Sequence, residues 1–300
     1  MEKVEFGGWQ NCYKLTNGII DLIMTSDVGP RIIYLGFVGS NNLLRTEPTQ
    51  MGKTNQDMWM SFGGHRLWHT PEDNKRTYYP DSLPIEISEN NGVVRLTQYI
   101  EPTTNIEKSI TVQLDKTRAL VKLDHKLTNC GIWPIETSAW AITVMAQGGK
   151  AILPLPPRGS HPEFLLPTNS LALWPYTDLS DPRWKFNFQN IFLQQDPALT
   201  APQKIGVFST DGWLAYINNN ELFIKLTQVN TKGNYPDFGS NLEVFTNSKI
   251  LELESLSPMT LIAPNESINH TEVWYMQQNI PDIVTDRDVD RYIKEAIAKL

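Results

Sequence analysis

Three neighbouring stretches, Val93-Val-Arg-Leu-Thr-Gln-Tyr-Ile100, Ser109-Ile-Thr-Val-Gln-Leu114 and Ala119-Leu-Val-Lys-Leu-Asp-His-Lys-Leu127, share one pattern. Apolar and polar side chains alternate along each of them. That is the period of a strand with one wet face and one buried face. The joint Asp115-Lys-Thr-Arg118 is short and polar, so the strands it connects run antiparallel as a meander. Upstream, Gly18 to Met24 and Arg31 to Phe37 flank the turn Ser26-Asp-Val-Gly-Pro30, which predicts a hairpin. Downstream, the period returns at Ile205 to Ser209, Trp213 to Ile217 and Glu221 to Gln228, with Asn218-Asn-Asn220 as a turn, because Asn tolerates positive φ. Leu242 to Thr246, Ile250 to Ser255, Met259 to Ala263 and Ile268 to Tyr275 extend the series. The expected fold class is mainly β: a large antiparallel β-sandwich.

Two long segments interrupt the strands. Residues 41–84 surround a Trp-rich centre, and residues 154–203 are rich in proline and carry Trp174, Trp184 and His161. Both read as long loops over one face, the kind that carries function. The chain end differs. Val289, Tyr292, Ile293, Ala296, Ile297 and Leu300 fall at helical spacing, which predicts an amphipathic helix over 288–300 packed on the sheet. No linker or repeat divides the chain, so one domain over 1–300 is expected.

Composition narrows the partners. The 300 residues include 26 Lys plus Arg and 33 Asp plus Glu, a net charge of −7, with no basic run. That disfavours nucleic acid as a partner. No stretch approaches the ~18 apolar residues of a membrane span, and the first residues lack a signal-peptide layout. Cys12 and Cys130 are too few for a disulfide framework and lack metal spacing. A cytoplasmic location is expected, with no membrane partner. Nine Trp, 10 Tyr and 11 Phe make the chain rich in aromatics, which serve recognition surfaces as well as cores.

The densest polar cluster is Phe62-Gly-Gly-His-Arg-Leu-Trp-His-Thr-Pro-Glu72. His65 suits general acid–base work near neutral pH. Arg66 offers a planar donor fork, and Trp68 offers an apolar face for a sugar ring. His69 and Glu72 complete the polar set. His65 and His69 have the spacing of a helical zinc pair, but the residues between them are Arg-Leu-Trp and the flanking Gly and Pro oppose a helix. No metal and no cofactor are therefore expected. The second cluster runs from Asn234-Tyr-Pro-Asp237 to Ile250-Leu-Glu-Leu-Glu254. Glu243 lies mid-strand, where desolvation would make its carboxyl a usable acid or base. Glu252 and Glu254 share a strand face. No nucleophile elbow or phosphate-binding glycine loop is present.

Four segments together resemble the galactose-mutarotase-like (aldose 1-epimerase-like) superfamily, and more narrowly its DUF4380 branch. They are Phe62-Gly-Gly-His-Arg-Leu-Trp68, Leu127-Thr-Asn-Cys-Gly131 with Ser138-Ala-Trp-Ala-Ile-Thr143, Tyr235-Pro-Asp-Phe-Gly-Ser-Asn-Leu-Glu-Val-Phe-Thr246, and Leu261-Ile-Ala-Pro-Asn-Glu-Ser267 with His270-Thr-Glu-Val-Trp274. The resemblance implies a β-sandwich that cups a sugar, and an isomerase that exchanges anomers. In that reaction a glutamate takes the anomeric hydroxyl proton and a histidine protonates the ring oxygen. The resemblance matches His65 and Arg66 to the family's first histidine and arginine; with His65 as acid, the expected binders are Arg66, Trp68, His69, Glu72, Trp140 and Asp237. The base is Glu243 by overall spacing, or Glu254 by the local Leu-Glu-Ser pattern. Trp140 stands where the resembled enzymes keep a second histidine, and an indole cannot take a proton. Three readings follow: a sugar epimerase, a non-catalytic carbohydrate-binding protein, or an acid–base enzyme recruited to a non-sugar metabolite. All three take a small-molecule ligand.

Overall fold

The alternation in the sequence becomes two ten-stranded antiparallel sheets, and the computed structural model describes all of residues 1–300. The first sheet runs Glu2–Phe6, Trp9–Thr16, Ile20–Thr25, Arg31–Phe37, His65–His69, Ala139–Met145, Leu251–Leu256, Leu242–Thr246, Gln203–Val207 and Leu171–Leu173. The second runs Trp184–Phe186, Asn190–Gln194, Lys150–Pro154, Trp213–Asn218, Glu221–Thr227, Ser267–Gln277, Leu120–Asn129, Ile106–Leu114, Val93–Thr97 and Glu86–Asn90. A short ribbon pairs Ile135–Thr137 with Thr260–Ile262. The main core lies between the large sheets and draws on both, from Leu22 and Leu253 on one to Leu123 and Trp274 on the other.

Every strand predicted from alternation is present. The long loops, however, also hold strands. His65–His69 lies within 41–84, and Leu171–Leu173, Trp184–Phe186 and Asn190–Gln194 lie within 154–203. His65–His69 is buried at all five positions, so it shows no wet face and no polar alternation. The other three span three to five residues, too few to display a period. The terminal helix begins earlier than its spacing predicts, at Asp286, and ends at Ile297. Thr285 and Asp288 form a reciprocal capping box at its start, and Val289–Lys294 is wound as a π-helix. Val289, Ile293 and Ala296 cover Ile152, Phe192, Ala215 and Ile224 on the outer face of the second sheet. Both cysteines are unpaired, and no helix is long and apolar enough to cross a membrane.

A polar network crosses the middle of the core. Lys225 Nζ lies 2.8 Å from Glu272 and donates to Thr143 Oγ1 and to the carbonyls of Ala141 and Leu253. Trp274 Nε1 donates to the other oxygen of Glu272. Ser255 donates to Glu272 and contacts His270 Nε2 at 2.7 Å. His65 meets Thr143 through Nδ1 at 2.9 Å and His125 through Nε2 at 2.7 Å. His125 Nδ1 lies 2.8 Å from the carbonyl of His270. The carbonyl can only accept, so His125 donates from Nδ1 and accepts at Nε2. His65 then donates from Nε2 and accepts the Thr143 hydroxyl at Nδ1. Every ring is thereby neutral with a set tautomer.

Burial holds His65 well below the usual histidine range and lowers His125, while His270 is pushed down to about 3. These groups remain neutral while the unfolded chain protonates below about pH 6.5. Their contribution to stability is therefore complete above that pH and declines as pH falls. His270 alone should cost about 2 kcal/mol between pH 7 and pH 5. Ring nitrogen NMR shifts should show His65 and His270 neutral at pH 5 in the folded protein, with His65 protonated at Nε2. Charged rings at pH 5 would refute this network.

Candidate functional site

The central strands of the first sheet are covered on both faces, and their dyad period sorts residues between them. On His65–His69, the side chains of His65 and Leu67 enter the core between the sheets. Arg66 and Trp68 line a cup on the opposite face. The register continues this cup-facing row. Trp140 stands opposite Trp68, and Ile142 opposite Arg66. Ile142 also faces Glu254, and Glu254 faces Glu243 on the next strand. Lys204 stands opposite Phe245. The cup has a volume of about 450 Å³. Trp59, Trp68 and Tyr78 pack edge to face on one side of it, with Trp68 against Trp140 at 5.3 Å between ring centres.

Two cations organise the floor. Lys204 Nζ lies 2.8 Å from an oxygen of Glu243 and 2.8 Å from Oε2 of Glu254. The contact to Glu254 is a hydrogen bond, and Trp140 Nε1 donates to the same oxygen at 2.7 Å. The ammonium also faces Oε2 of Glu243, which leaves Oε1 of Glu243 and Oε1 of Glu254 buried without a donor. The ammonium sits over Trp140 at 4.7 Å and Trp174 at 4.5 Å. Arg66 lies over Trp68 at 4.4 Å and donates from Nη2 to Glu252 at 3.1 Å. Its Nε and Nη1 are buried without partners.

Burial raises the Glu243 carboxyl well above the usual range, against the opposing charge of Lys204 and with the support of nearby Glu254. Burial also raises Glu252, against Arg66. The flanking carboxylates hold Lys204 well above its ordinary value, despite the opposing effect of desolvation.

The cup gathers Arg66, Trp68, Glu72 and Trp140 directly. Glu243 and Glu254 lie beneath Lys204, both almost fully buried. Glu72 accepts the Tyr78 hydroxyl at the rim. Asp237 lines an adjoining part of the depression, held by a turn in which Asp237 and Phe238 take φ of +50° and +59°. His65 and His69 are not in the cup. His65 belongs to the network between the sheets. His69 is buried away from the cup, its ring pushed down to about 3 by burial. One residue of strand period separates His65 from Arg66, and a reading as a loop hides that reversal of face.

Sequence reasoning missed Lys204, Trp59, Tyr78 and Tyr176, and it assigned Glu252 no role. A lysine inside Gln203-Lys-Ile-Gly-Val207 carries the same signal as Glu243, a charge in a buried strand, and could have been found that way. Trp59 and Tyr78 reach the cup from a loop, and local pattern says nothing of that path.

Metal ligation has one geometric candidate, His65, His125 and Glu272, whose ligand atoms lie within 4.8 Å of one another. Those atoms are committed to each other and to Lys225. An ammonium 2.8 Å from Glu272 opposes a cation there. His65 and His69, four apart on a strand, are separated by ~13 Å and cannot share an ion.

Removing the Lys204 charge should leave Glu243 and Glu254 facing each other without a counter-ion. Lys204→Met is expected to cost about 3–5 kcal/mol near neutral pH. A raised carboxyl stabilises the fold below its unfolded value and ceases to do so as pH rises through its folded value. The cost should therefore be larger at pH 8 than at pH 5. Urea denaturation at the two pH values measures it, and equal losses would refute the shared-cation geometry.

No family model matches the chain, and no curated protein matches it in sequence. Solved structures do match. The Slr1438 protein from Synechocystis sp. PCC 6803 is 11% identical, with 93% of this chain and 100% of that one covered at a TM-score of 0.58. A galactose mutarotase-like protein from Lactobacillus casei is 10% identical, with 89% and 100% covered at 0.55. A protein from Escherichia coli K12 provisionally named an aldose 1-epimerase is 12% identical, with 89% and 99% covered at 0.53. At such identities the likeness is one of architecture, over nearly the full length of each chain. The fold of this protein is the galactose-mutarotase-like β-sandwich.

Proposed function

We propose that the cup binds a sugar or sugar-like small molecule and that carboxyl groups carry any isomerase chemistry there. One observation carries the reading. The cup presents buried, unpartnered donors on Arg66 and has unpartnered acceptors on Glu243 and Glu254 beneath its floor, between aromatic walls. A hydroxyl both donates and accepts, so a polyol can satisfy both sets while its C–H faces meet indole rings. Unpartnered buried polar groups cost about 1–3 kcal/mol each, and ligand hydroxyls would recover part of that.

Exchange of anomers needs one group to take a proton from the anomeric hydroxyl and another to protonate the ring oxygen. Glu254, hydrogen-bonded by Lys204 and Trp140, suits the base. For Glu254 to meet a hydroxyl, the Lys204 ammonium must move towards Glu243, which it already contacts at 2.8 Å. Glu243, whose carboxyl is raised by burial, suits the proton-bearing partner. The role first assigned to His65 passes to these carboxyls, because His65 faces the core.

A non-catalytic binding role is the second reading. It is favoured by the absence of all five histidines from the cup lining. Intrinsic tryptophan fluorescence should report saturable binding of at least one free hexose, and Arg66→Ala should weaken it at least tenfold. Polarimetry on fresh α-glucose and α-galactose should show faster anomer exchange than buffer, reduced about 100-fold in Glu254→Gln. Binding without acceleration would overturn the catalytic half and leave the binding half. No binding of any free hexose would overturn the sugar reading.

A further inference from the structure

The cup does not end at its first compartment. A second depression of about 470 Å³ is lined by Pro71, Asp73, Asn74 and Asp237, and shares Glu72, Trp140, Trp174 and Lys204 with the first. The shared residues form a common wall. Lys204 lies beneath the junction, with the rings of Trp140 and Trp174 at 4.7 Å and 4.5 Å from its ammonium. Each compartment alone falls in the range of roughly 300–1,000 Å³ that small-molecule pockets occupy. Their union therefore exceeds the needs of one pyranose ring.

The two ends differ in chemistry. The first compartment holds Arg66, 3% exposed, with two N–H groups unpartnered. The second carries the carboxylates of Glu72, Asp73 and Asp237 against the single ammonium of Lys204. Asp73 is paired with Arg76 at 3.6 Å and capped by the backbone N–H groups of Lys75 and Arg76, and one oxygen of Glu72 accepts from Tyr78, which leaves Asp237 and the other oxygen of Glu72 to face a ligand. Such a surplus repels phosphate, sulfate or uronate groups.

We propose that the cup is a two-subsite site for a glycan of at least two rings, with its second ring, neutral or amino-substituted, seated between Trp174 and the Glu72–Asp237 rim. The proposal rests on the sugar reading above. It adds that a free monosaccharide fills only the Arg66 end and leaves the Trp174–Asp237 end unused.

The test compares glucose and galactose with maltose, cellobiose and lactose, and with glucose 6-phosphate, by fluorescence titration of the intact protein. At least one disaccharide should bind tenfold or more tighter than its own monosaccharides. Asn74 is exposed at the second compartment. Asn74→Trp, which fills that compartment, should lower the ratio of disaccharide to monosaccharide affinity at least tenfold. Monosaccharides that bind as tightly as every disaccharide would overturn the second subsite and leave the sugar reading standing. Glucose 6-phosphate binding more tightly than all three disaccharides would overturn the assignment of a neutral or cationic ring. Failure of every sugar to bind would overturn the reading and the inference together.

Discussion

The middle strands of the first sheet are covered on both faces, and much else follows from that constraint. A strand in such a place cannot turn its polar residues to bulk water. Each polar side chain must find a partner in the core, find one on the cup floor, or await a ligand. Around His65 on the core side the partners are complete. Thr143 and Ser255 of the first sheet join His65 to His125, His270, Lys225 and Glu272. On the cup side they are incomplete, at Arg66, Glu243 and Glu254. That asymmetry marks one face as structure and the other as a site.

Both cup cations are held by carboxylates and aromatic faces at once. Arg66 has Glu252 and Trp68, and Lys204 has Glu243, Glu254, Trp140 and Trp174. A desolvated charge needs such multiple compensation, because a single ion pair rarely repays two desolvation penalties. The arrangement also fixes the indole rings that wall the cup. The groups that neutralise the site thus also shape it, and removal of one alters both charge and form.

Likeness of fold to galactose mutarotase-like proteins does not supply the chemistry of the cup. Here no histidine lines the cup. A tryptophan hydrogen-bonds a carboxylate at the position where the family resemblance places a histidine. An indole holds its proton throughout, so Trp140 can donate a hydrogen bond here but cannot act as acid or base.

The meander of Val93–Leu127, the Arg31–Phe37 hairpin partner and the Leu242–Leu256 pair were legible in the sequence, because one-sided burial writes itself as alternation. Glu243 and Asp237 were legible too, as charges set in apolar or turn contexts. His65–His69 was not, since burial on both faces erases the alternation. Trp59 and Tyr78 were not, because segments remote in sequence bring them to the cup. By itself the sequence determined the class of fold, the order of most strands and the aromatic, acidic character of the chain, all properties of local pattern and composition. Only the tertiary structure decided that His65 looks into the core while Arg66 looks into the cup, and that Lys204 joins Glu243 to Glu254. The physical reason is that strand register and sheet order, set by packing across the whole sandwich, choose the face and the neighbour of each side chain.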